Sequence, residues 1–348
     1  MELMKYLWIE VLLMLGVFAV LLFLLRARRM KRAQAGQPVQ RGIWGYILYT
    51  LRLLGFGLSA FLLVSLAIMV YRNWITVQVD AAPAPSRVEV PADLPFEVEE
   101  VIFPSEDGLQ MAGWFVPSQN GATVILLHGY GGNRLAMRWH AERLVEAGYG
   151  VLMYDERASG ESQGTYRSYG WEDPRDVGGA LAFLNDRPEV DEEKVGIAGC
   201  SIGGQIALQG AAYYPQIGAV WADGPAIVTA QDVPAPTNPI YALISAANYM
   251  LDWMFELKLD IEAPPPMIAV IGDIAPRPIM LVGGGQPQPF VGSEGDRLPL
   301  YVRYAGENAE LWVIPEAHHC DGPLVRPQEY AARMVDFFDS AFDMKARK

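Results

Sequence analysis

The sequence has few cysteines, few histidines and fewer basic than acidic residues. Cys200 and Cys320 are the only cysteines among 348 residues, which is too few for a disulfide framework. Lys and Arg number 27 against 40 Asp and Glu, so the formal net charge is −13. An acidic surface is repelled by polyanions, and this excludes nucleic acid as a partner. No Walker loop and no H-E-x-x-H motif occurs, so we expect neither a metal nor an organic cofactor.

Long apolar stretches, by contrast, are present near the N-terminus. Residues 6–25 and 53–71 each approach the roughly 20 apolar residues that cross a bilayer as a helix. The alternative is a cleaved signal peptide followed by a buried core helix. The first stretch, however, lacks a small-residue cleavage pattern and is followed by basic residues. The sequence therefore predicts two transmembrane helices that make the chain an integral protein of the cytoplasmic membrane.

The charge around these stretches predicts an orientation. The connecting segment, residues 26–41, carries six Lys or Arg and no acidic residue. Positively charged loops stay in the cytoplasm, so the large C-terminal part is expected on the other side of the membrane. Residues 1–79 would then be a membrane anchor, and residues 80–95, with four prolines, a semi-rigid spacer that lifts the following domain off the membrane.

The remainder, residues 96–348, alternates short apolar runs with amphipathic stretches. This alternation predicts an α/β fold with a doubly wound, mainly parallel sheet, in which ligands bind at the carboxyl ends of the strands. Residues 226–275 interrupt the pattern and are rich in Pro, Met and aromatic residues. We interpret them as an insertion that caps an active site. The alternative is a packing excursion that lines no pocket.

A candidate nucleophile lies between a predicted strand and a predicted helix. Ser201 is the centre of a G-x-S-x-G pentapeptide, residues 199–203. In a nucleophile elbow this tight turn presents the central side chain at the top of the sheet. Cys200 occupies an x position and is expected to be a small buried filler.

A glycine-rich turn follows the first predicted parallel strand. It reads His-Gly-Tyr-Gly-Gly, residues 128–132, and its small residues let backbone N–H groups approach a substrate oxygen. The amides of Tyr130 and Ile202 would form an oxyanion hole there. The alternative is a glycine turn with a structural His128.

Four segments together resemble the α/β-hydrolase superfamily over roughly residues 96–342: HGYGGNR, YDERASGES, GCSIGG and IPEAHH. Members similar to dienelactone hydrolases, prolyl oligopeptidases and serine aminopeptidases share this arrangement. The resemblance implies an acyl-transfer triad whose base lies four residues after Pro315, which is His319 rather than its neighbour His318.

The position of the triad acid departs from the family pattern. Members usually carry Asp shortly after the strand that RPIMLVGGG resembles, where this chain has glutamines. Some membrane-attached relatives use Glu in a Gly-x-Glu setting, which residues 292–294 match. The resemblance therefore favours Glu294, with Asp296 and Asp223 as alternatives, and any of the three could instead be a solvated loop carboxylate.

These observations predict a membrane-anchored serine hydrolase that cleaves an ester, a thioester or a small amide. Esterase chemistry is favoured over a peptidase of the prolyl-oligopeptidase or serine-aminopeptidase kind. A third hypothesis is a catalytically impaired binding or scaffold protein that has lost a competent acid. The residues that bind the substrate cannot be named from the sequence. Cys200 and Cys320 flank the nucleophile and the base, but their side chains are expected to point apart rather than pair.

Overall fold

The computed structural model describes residue 27 and residues 43–233, 239–287 and 292–344. The chain divides into two compact units, Met1–Thr76 and Val77–Lys348. The first predicted transmembrane segment, residues 6–25, lies outside the described residues. So does nearly all of the basic segment that follows it.

The elements are numbered here along the chain. The strands are β1 Ala84–Pro85, β2 Glu99–Pro104, β3 Gln110–Val116, β4 Thr123–Leu127, β5 Gly150–Tyr154, β6 Ser159–Gly160, β7 Val195–Cys200, β8 Ile217–Asp223, β9 Ile279–Gly284 and β10 Ala309–Ile314. The α-helices are α1 Ile43–Asp80, α2 Arg138–Glu146, α3 Pro174–Asn185, α4 Ile202–Tyr213, α5 Pro239–Leu259, α6 Met267–Val270, α7 Glu294–Arg297, α8 Pro299–Ala305, α9 Gly322–Val325 and α10 Pro327–Ala341. Short 3₁₀ helices occur at Arg134–Met137, Glu192–Lys194, Ala230–Asp232 and Ile271–Ile274.

Helix α1 contains the second predicted transmembrane segment, residues 53–71. It is 38 residues long, and its side chains up to residue 76 are exposed or half-buried. By length and composition it could cross a membrane, and it is the one such helix among the described residues. Of the two predicted membrane helices, the second is therefore a candidate in the described residues, and the first falls outside them.

The proline-rich stretch from residue 80 to 95 belongs to the second unit and packs within it. Strand β1 pairs in parallel with β6, and Val88 is buried in the core beside Trp114. The Arg138 guanidinium also bonds the Asp93 carboxylate at 3.0 Å. The predicted free-standing spacer is therefore wrong for this stretch, because its apolar and charged side chains find partners on the domain.

A central sheet of eight strands organises the second unit. Its order is β10-β9-β8-β7-β4-β5-β3-β2; strand β3 is antiparallel to both of its neighbours, β2 and β5, and all other neighbouring strands are parallel. Strands β4, β5 and β9 are buried along their whole length, which explains their near-continuous apolar sequences. Apolar side chains pack on both faces. The predicted α/β fold with a mainly parallel sheet is confirmed.

The predicted insertion, residues 226–275, connects β8 to β9. Helix α5 is its main element, and Met254 and Phe255 from that helix pack with Trp171 in a separate apolar cluster. The side chain of Asp232 anchors the base of the insertion by accepting bonds from the Met267 and Ile268 amides, both at 3.0 Å. Because β8 and β9 are parallel neighbours, the insertion leaves from the carboxyl end of β8, and the chain crosses to the opposite edge of the sheet before β9 begins.

Candidate active site

Ser201 occupies a sharp turn between β7 and α4. Its φ of +59° lies in the left-handed region, which L side chains rarely adopt. The turn excludes side chains on both sides, since a Cβ at Gly199 would lie 2.2 Å from the Gly203 oxygen and one at Gly203 would lie 2.4 Å from the Leu127 oxygen. The Ser201 amide donates to the backbone carbonyl oxygen of Asp223 at 2.8 Å. The small residues of the motif are therefore required by the geometry of the turn.

Three side chains predicted from separate segments meet at this turn. The Ser201 hydroxyl lies 2.8 Å from His319 Nε2, and Glu294 Oε1 hydrogen-bonds His319 Nδ1. Glu294 is buried, and its other oxygen accepts the Gly284 amide at 2.7 Å. The bond to Glu294 raises the pKa of His319 above its ordinary value. In neutral His319 the proton therefore belongs on Nδ1, which leaves Nε2 free to accept from the serine.

The position of Glu294 depends on two glycines. It begins α7, and the end of β9 passes so close that a Cβ on Gly283 would lie 3.1 Å from the Glu294 Cβ. A Cβ on Gly224 would lie 2.9 Å from both Glu294 Oε1 and His319 Nδ1. Glu294 stands later in the chain than the aspartate usual in the family. It can still reach His319 because Gly224 and Gly283 have no side chains in its way.

The two alternative acids have other partners. Asp296 is exposed and accepts from the Ser293 hydroxyl at 2.7 Å, which caps α7 and lowers the pKa of Asp296. Asp223 is buried and accepts from the Tyr330 hydroxyl at 2.9 Å. Burial raises the pKa of Asp223 to about 7. Neither carboxylate hydrogen-bonds His319 in the described part of the chain.

The glycine-rich turn after β4 lies beside the elbow, because a Cβ on Gly129 would lie 3.5 Å from the Ser201 Cβ. His128 is fully buried in this turn: Nδ1 donates to the Gly129 oxygen at 2.9 Å, and Nε2 accepts the Glu156 amide at 3.0 Å. Burial lowers its pKa to about 4, so it is neutral and has a structural role.

The two predicted oxyanion donors are both backbone N–H groups that remain free to bind a substrate oxygen. Within the described ranges, neither the Tyr130 nor the Ile202 N–H has an intramolecular acceptor. Tyr130 itself is fixed through its side chain, which donates to the Val79 oxygen at 3.2 Å and accepts from Arg167 at 2.8 Å. The turn is thereby held while its amide stays available.

A cavity of about 310 Å³ opens next to Ser201 and His319. Apolar side chains form much of its wall, several of them from the insertion: Trp171, Ile227, Val228, Leu251 and Phe255. Polar residues outside the Ser201–His319–Glu294 set also line it, among them Thr229, Asn248, Asp252, Ser293 and Arg297. The insertion therefore lines a pocket, as the cap interpretation expected.

These lining residues were not identified from the sequence. Arg297 could have been, because it stands three positions after Glu294 and such residues share a helix face. Trp171 and Phe255 carry no comparable signal, since they are brought together by packing between distant segments.

Cys200 and Cys320 form a disulfide, with their Cα atoms 6.2 Å apart. The expectation that their side chains point apart is wrong. Each is the chain neighbour of a residue in the Ser201–His319 pair, and the hydrogen bond between those two brings both backbones within bridging distance.

No cluster of three or more His, Cys, Asp or Glu that could hold a metal ion occurs among the residues the structure describes. The site consists of protein side chains and backbone amides.

A serine, a histidine and a buried acid in contact at the carboxyl ends of the strands of this sheet define a class of protein. The chain is a member of the α/β-hydrolase superfamily.

Comparison with known proteins agrees with this placement. Residues 118–264 match the family described as serine aminopeptidase, S33. The YfhR protein of Escherichia coli K12 is 28% identical over 257 residues, which is 72% of this chain and 83% of that protein. The thiohydrolase aneE of Aspergillus aculeatus is 32% identical over 120 residues, 33% of this chain and 37% of that protein. The solved esterase Pf2001 of Pyrococcus furiosus has 28% identity and a TM-score of 0.60, covering 75% of this chain and 98% of that one.

Proposed function

We propose that the chain is a serine hydrolase that cleaves an ester, a thioester or a small amide bond through an acyl-enzyme on Ser201. The observation that carries the proposal is the continuous hydrogen-bond chain from Ser201 through His319 to the buried Glu294. Such a chain supplies what a serine nucleophile needs, which is a base within hydrogen-bonding distance and an acid that orients that base.

The reaction proceeds in two acyl transfers. Ser201 Oγ attacks the substrate carbonyl while His319 Nε2 takes its proton, and the Tyr130 and Ile202 amides bind the resulting oxyanion. His319 then protonates the leaving group as the carbonyl reforms. Water repeats the sequence on the acyl-enzyme, again giving its proton to His319, and the acid product leaves with Ser201 restored.

The acid partner favours an enzyme over a scaffold. The scaffold hypothesis depended on the loss of a competent carboxylate, and Glu294 provides one in contact with His319. The mainly apolar wall of the cavity suits an acyl chain. The names of two relatives, an esterase and a thiohydrolase, support ester or thioester cleavage.

A peptidase is the second candidate function. The family match over residues 118–264 carries the description of an aminopeptidase. The carboxyl group of Asp252 also lines the cavity, where a protonated amino terminus would need an acid.

Covalent labelling tests the proposed nucleophile. A fluorophosphonate probe is expected to label the wild type and Ser340→Ala, which removes an exposed hydroxyl on α10, but not Ser201→Ala. Labelling of Ser201→Ala, or no labelling of any form, would contradict the proposal.

A second assay separates the two candidate functions. p-Nitrophenyl esters from acetate to octanoate are compared with aminoacyl p-nitroanilides. Faster turnover of the esters is expected, and a clear preference for the anilides would favour the peptidase.

We also propose that α1 anchors the protein in the cytoplasmic membrane, with the hydrolase domain on the extracytoplasmic side. The apolar composition of α1 and the basic residues before it support this orientation. A reporter fused after Lys348 tests the topology. Fusion to alkaline phosphatase, which is active only outside the cytoplasm, should give activity, and fusion to a reporter active only inside should not. The reverse pattern would refute the orientation.

A further inference from the structure

Arg297 lines the cavity that contains Ser201 and His319, and its guanidinium has no ion-pair partner among the residues that the structure describes. Its Nη2 donates to the Pro225 oxygen at 2.9 Å, and no described carboxylate lies within 4.0 Å of its guanidinium. The two neighbouring stretches outside the description, residues 234–238 and 288–291, contain no Asp or Glu. A guanidinium without a counter-charge is unusual in a chain whose net charge is −13.

The position of Arg297 is tied to the reacting groups. It ends the short helix α7 that Glu294 begins, so it is held at a fixed distance from the acid that contacts His319. The other acid in the cavity, Asp252, accepts the Ala230 amide at 2.7 Å. Burial raises the pKa of Asp252 to about 6, so its charge is partly lost just below neutral pH.

We propose that Arg297 binds a carboxylate carried by the substrate, so that the preferred substrate is an ester or thioester with a second, free carboxylate group. This inference rests on the proposed hydrolase function. A guanidinium binds a carboxylate through two parallel hydrogen bonds, and Lys cannot reproduce that geometry. Within the described ranges, the Pro225 oxygen is the one acceptor that the Arg297 guanidinium bonds, which leaves its other donors for such a pair.

Matched esters test the proposal. Mono-p-nitrophenyl glutarate carries the carboxylate on the acyl side and is compared with p-nitrophenyl pentanoate. p-Carboxyphenyl pentanoate carries it on the leaving-group side and is compared with phenyl pentanoate. The wild type should show at least a tenfold higher kcat/KM for one anionic ester than for its neutral partner. Arg297→Gln should abolish that preference by lowering kcat/KM at least tenfold more for the anionic ester than for its neutral partner, and Arg297→Lys should keep only part of it.

A control variant and a binding measurement make the result decisive. Arg303→Gln, an exposed arginine on α8, should retain the preference. Equal losses on neutral and anionic esters in Arg297→Gln would show a structural role through Pro225, and equal rates on each pair in the wild type would overturn the proposal. Calorimetry of glutarate monomethyl ester with Ser201→Ala, with and without Arg297→Gln, measures binding without turnover. If the hydrolase function is wrong, no ester will be turned over. The carboxylate site is tested separately by calorimetry: it is overturned if Ser201→Ala does not bind the monoester, or if adding Arg297→Gln leaves that binding unchanged.

The disulfide carries a second, independent inference. It joins the residue before Ser201 to the residue after His319, and these are the only cysteines of the chain. Both are half-buried, so a small reductant can reach them. The histidine loop is also held by the Ser201 and Glu294 contacts of His319 and by the Gln286 amide, which donates to the Ala317 oxygen at 3.0 Å, but the disulfide is its one covalent link to the elbow. Cys320 also has a φ of +56°, a strained conformation for a side chain other than glycine.

We infer that Cys200 and Cys320 are positioning residues whose disulfide holds His319 in line with Ser201 for proton transfer. A dithiol reductant converts the bridge to two thiols by giving two electrons and two protons, and is itself oxidised to a cyclic disulfide. The freed histidine loop then samples arrangements in which Nε2 no longer faces the serine hydroxyl. Neither cysteine lines the cavity, so we expect the loss to fall on kcat rather than on KM.

Steady-state kinetics with thiol counting tests this inference. Reduction by dithiothreitol should expose two thiols, lower kcat at least tenfold, leave KM within threefold, and be reversed by reoxidation. Cys200→Ala/Cys320→Ala should have the low kcat and no response to reductant. Unchanged kcat with two titrated thiols would overturn the inference, as would a loss of kcat that follows unfolding in circular dichroism. If the double variant does not fold, the comparison of reduced with oxidised wild type, made below the melting temperature of both forms, still tests the inference.

Discussion

Glu294→Gln is the substitution that tests the acid most sharply, because Glu294 uses its two oxygens for two different donors. One oxygen accepts from His319 and the other accepts the Gly284 amide at 2.7 Å. An amide has only one acceptor oxygen. If that oxygen stays with Gly284, the NH₂ group faces His319 Nδ1 and forces the proton onto Nε2, which is the wrong tautomer for a base. If the amide turns round, the buried Gly284 N–H loses its acceptor at a cost of about 1–3 kcal/mol.

We therefore expect kcat to fall by about 10³–10⁴, since loss of the orienting acid costs ~10⁴ when it leaves the wrong tautomer. This corresponds to about 4–5.5 kcal/mol of transition-state stabilisation at about 1.4 kcal/mol per tenfold change in rate. The assay is the initial rate on p-nitrophenyl butyrate, beside Asp296→Asn and Asp223→Asn as matched controls. Both controls should keep kcat within about tenfold, because neither carboxylate bonds His319. A Glu294→Gln enzyme with more than a tenth of wild-type kcat, or a control that loses as much as Glu294→Gln, would refute the assignment.

Three further predictions concern pH, stability and the cavity. Because the pKa of His319 is raised and only neutral His319 can take the serine proton, kcat/KM should fall as the pH drops through an apparent pKa above 6.5, and a profile with its acid limb below 6.5 would contradict this. Arg157→Met should lower the free energy of unfolding by about 3–5 kcal/mol in urea titrations, because it leaves Asp176 buried without its 2.6 Å partner; a change below 1 kcal/mol would show the pair to be dispensable. Leu251→Trp should lower kcat/KM more for octanoate than for acetate esters, since Leu251 lines the cavity, and equal effects would place the acyl chain elsewhere.

The sequence was informative where chemistry requires particular residues at particular spacings. The parallel sheet could be predicted because strands such as β4 and β9 are buried along their whole length and read as apolar runs. Ser201 could be predicted because the turn around it admits only glycine at positions 199 and 203, and this requirement is visible in the sequence as a motif. Glu294 was favoured through a resemblance, while its position could not be reasoned from spacing alone. The room that Gly224 and Gly283 provide becomes visible only in three dimensions.

Contacts between distant segments could not be predicted. The bridge between Cys200 and Cys320 spans 120 residues, and its formation depends on where two loops end rather than on either local sequence. The proline-rich stretch was misjudged for a related reason. Proline content indicates an extended backbone, but it does not indicate that the Val88 side chain is buried in the core of the domain.

The packing of residues 77–88 bears on how the enzyme should be prepared for study. Val77 and Ala81 are fully or almost fully buried in a cluster with Trp171 and Phe255, two residues that also line the cavity beside Ser201. A fragment that begins at residue 96, where the sequence alone would place the cut, removes these apolar contacts and opens the wall of the cavity beside Ser201. A fragment that begins at Val77 keeps them while discarding the apolar part of α1. The boundary for recombinant expression is therefore set by side-chain packing and lies some twenty residues before the first strand of the central sheet.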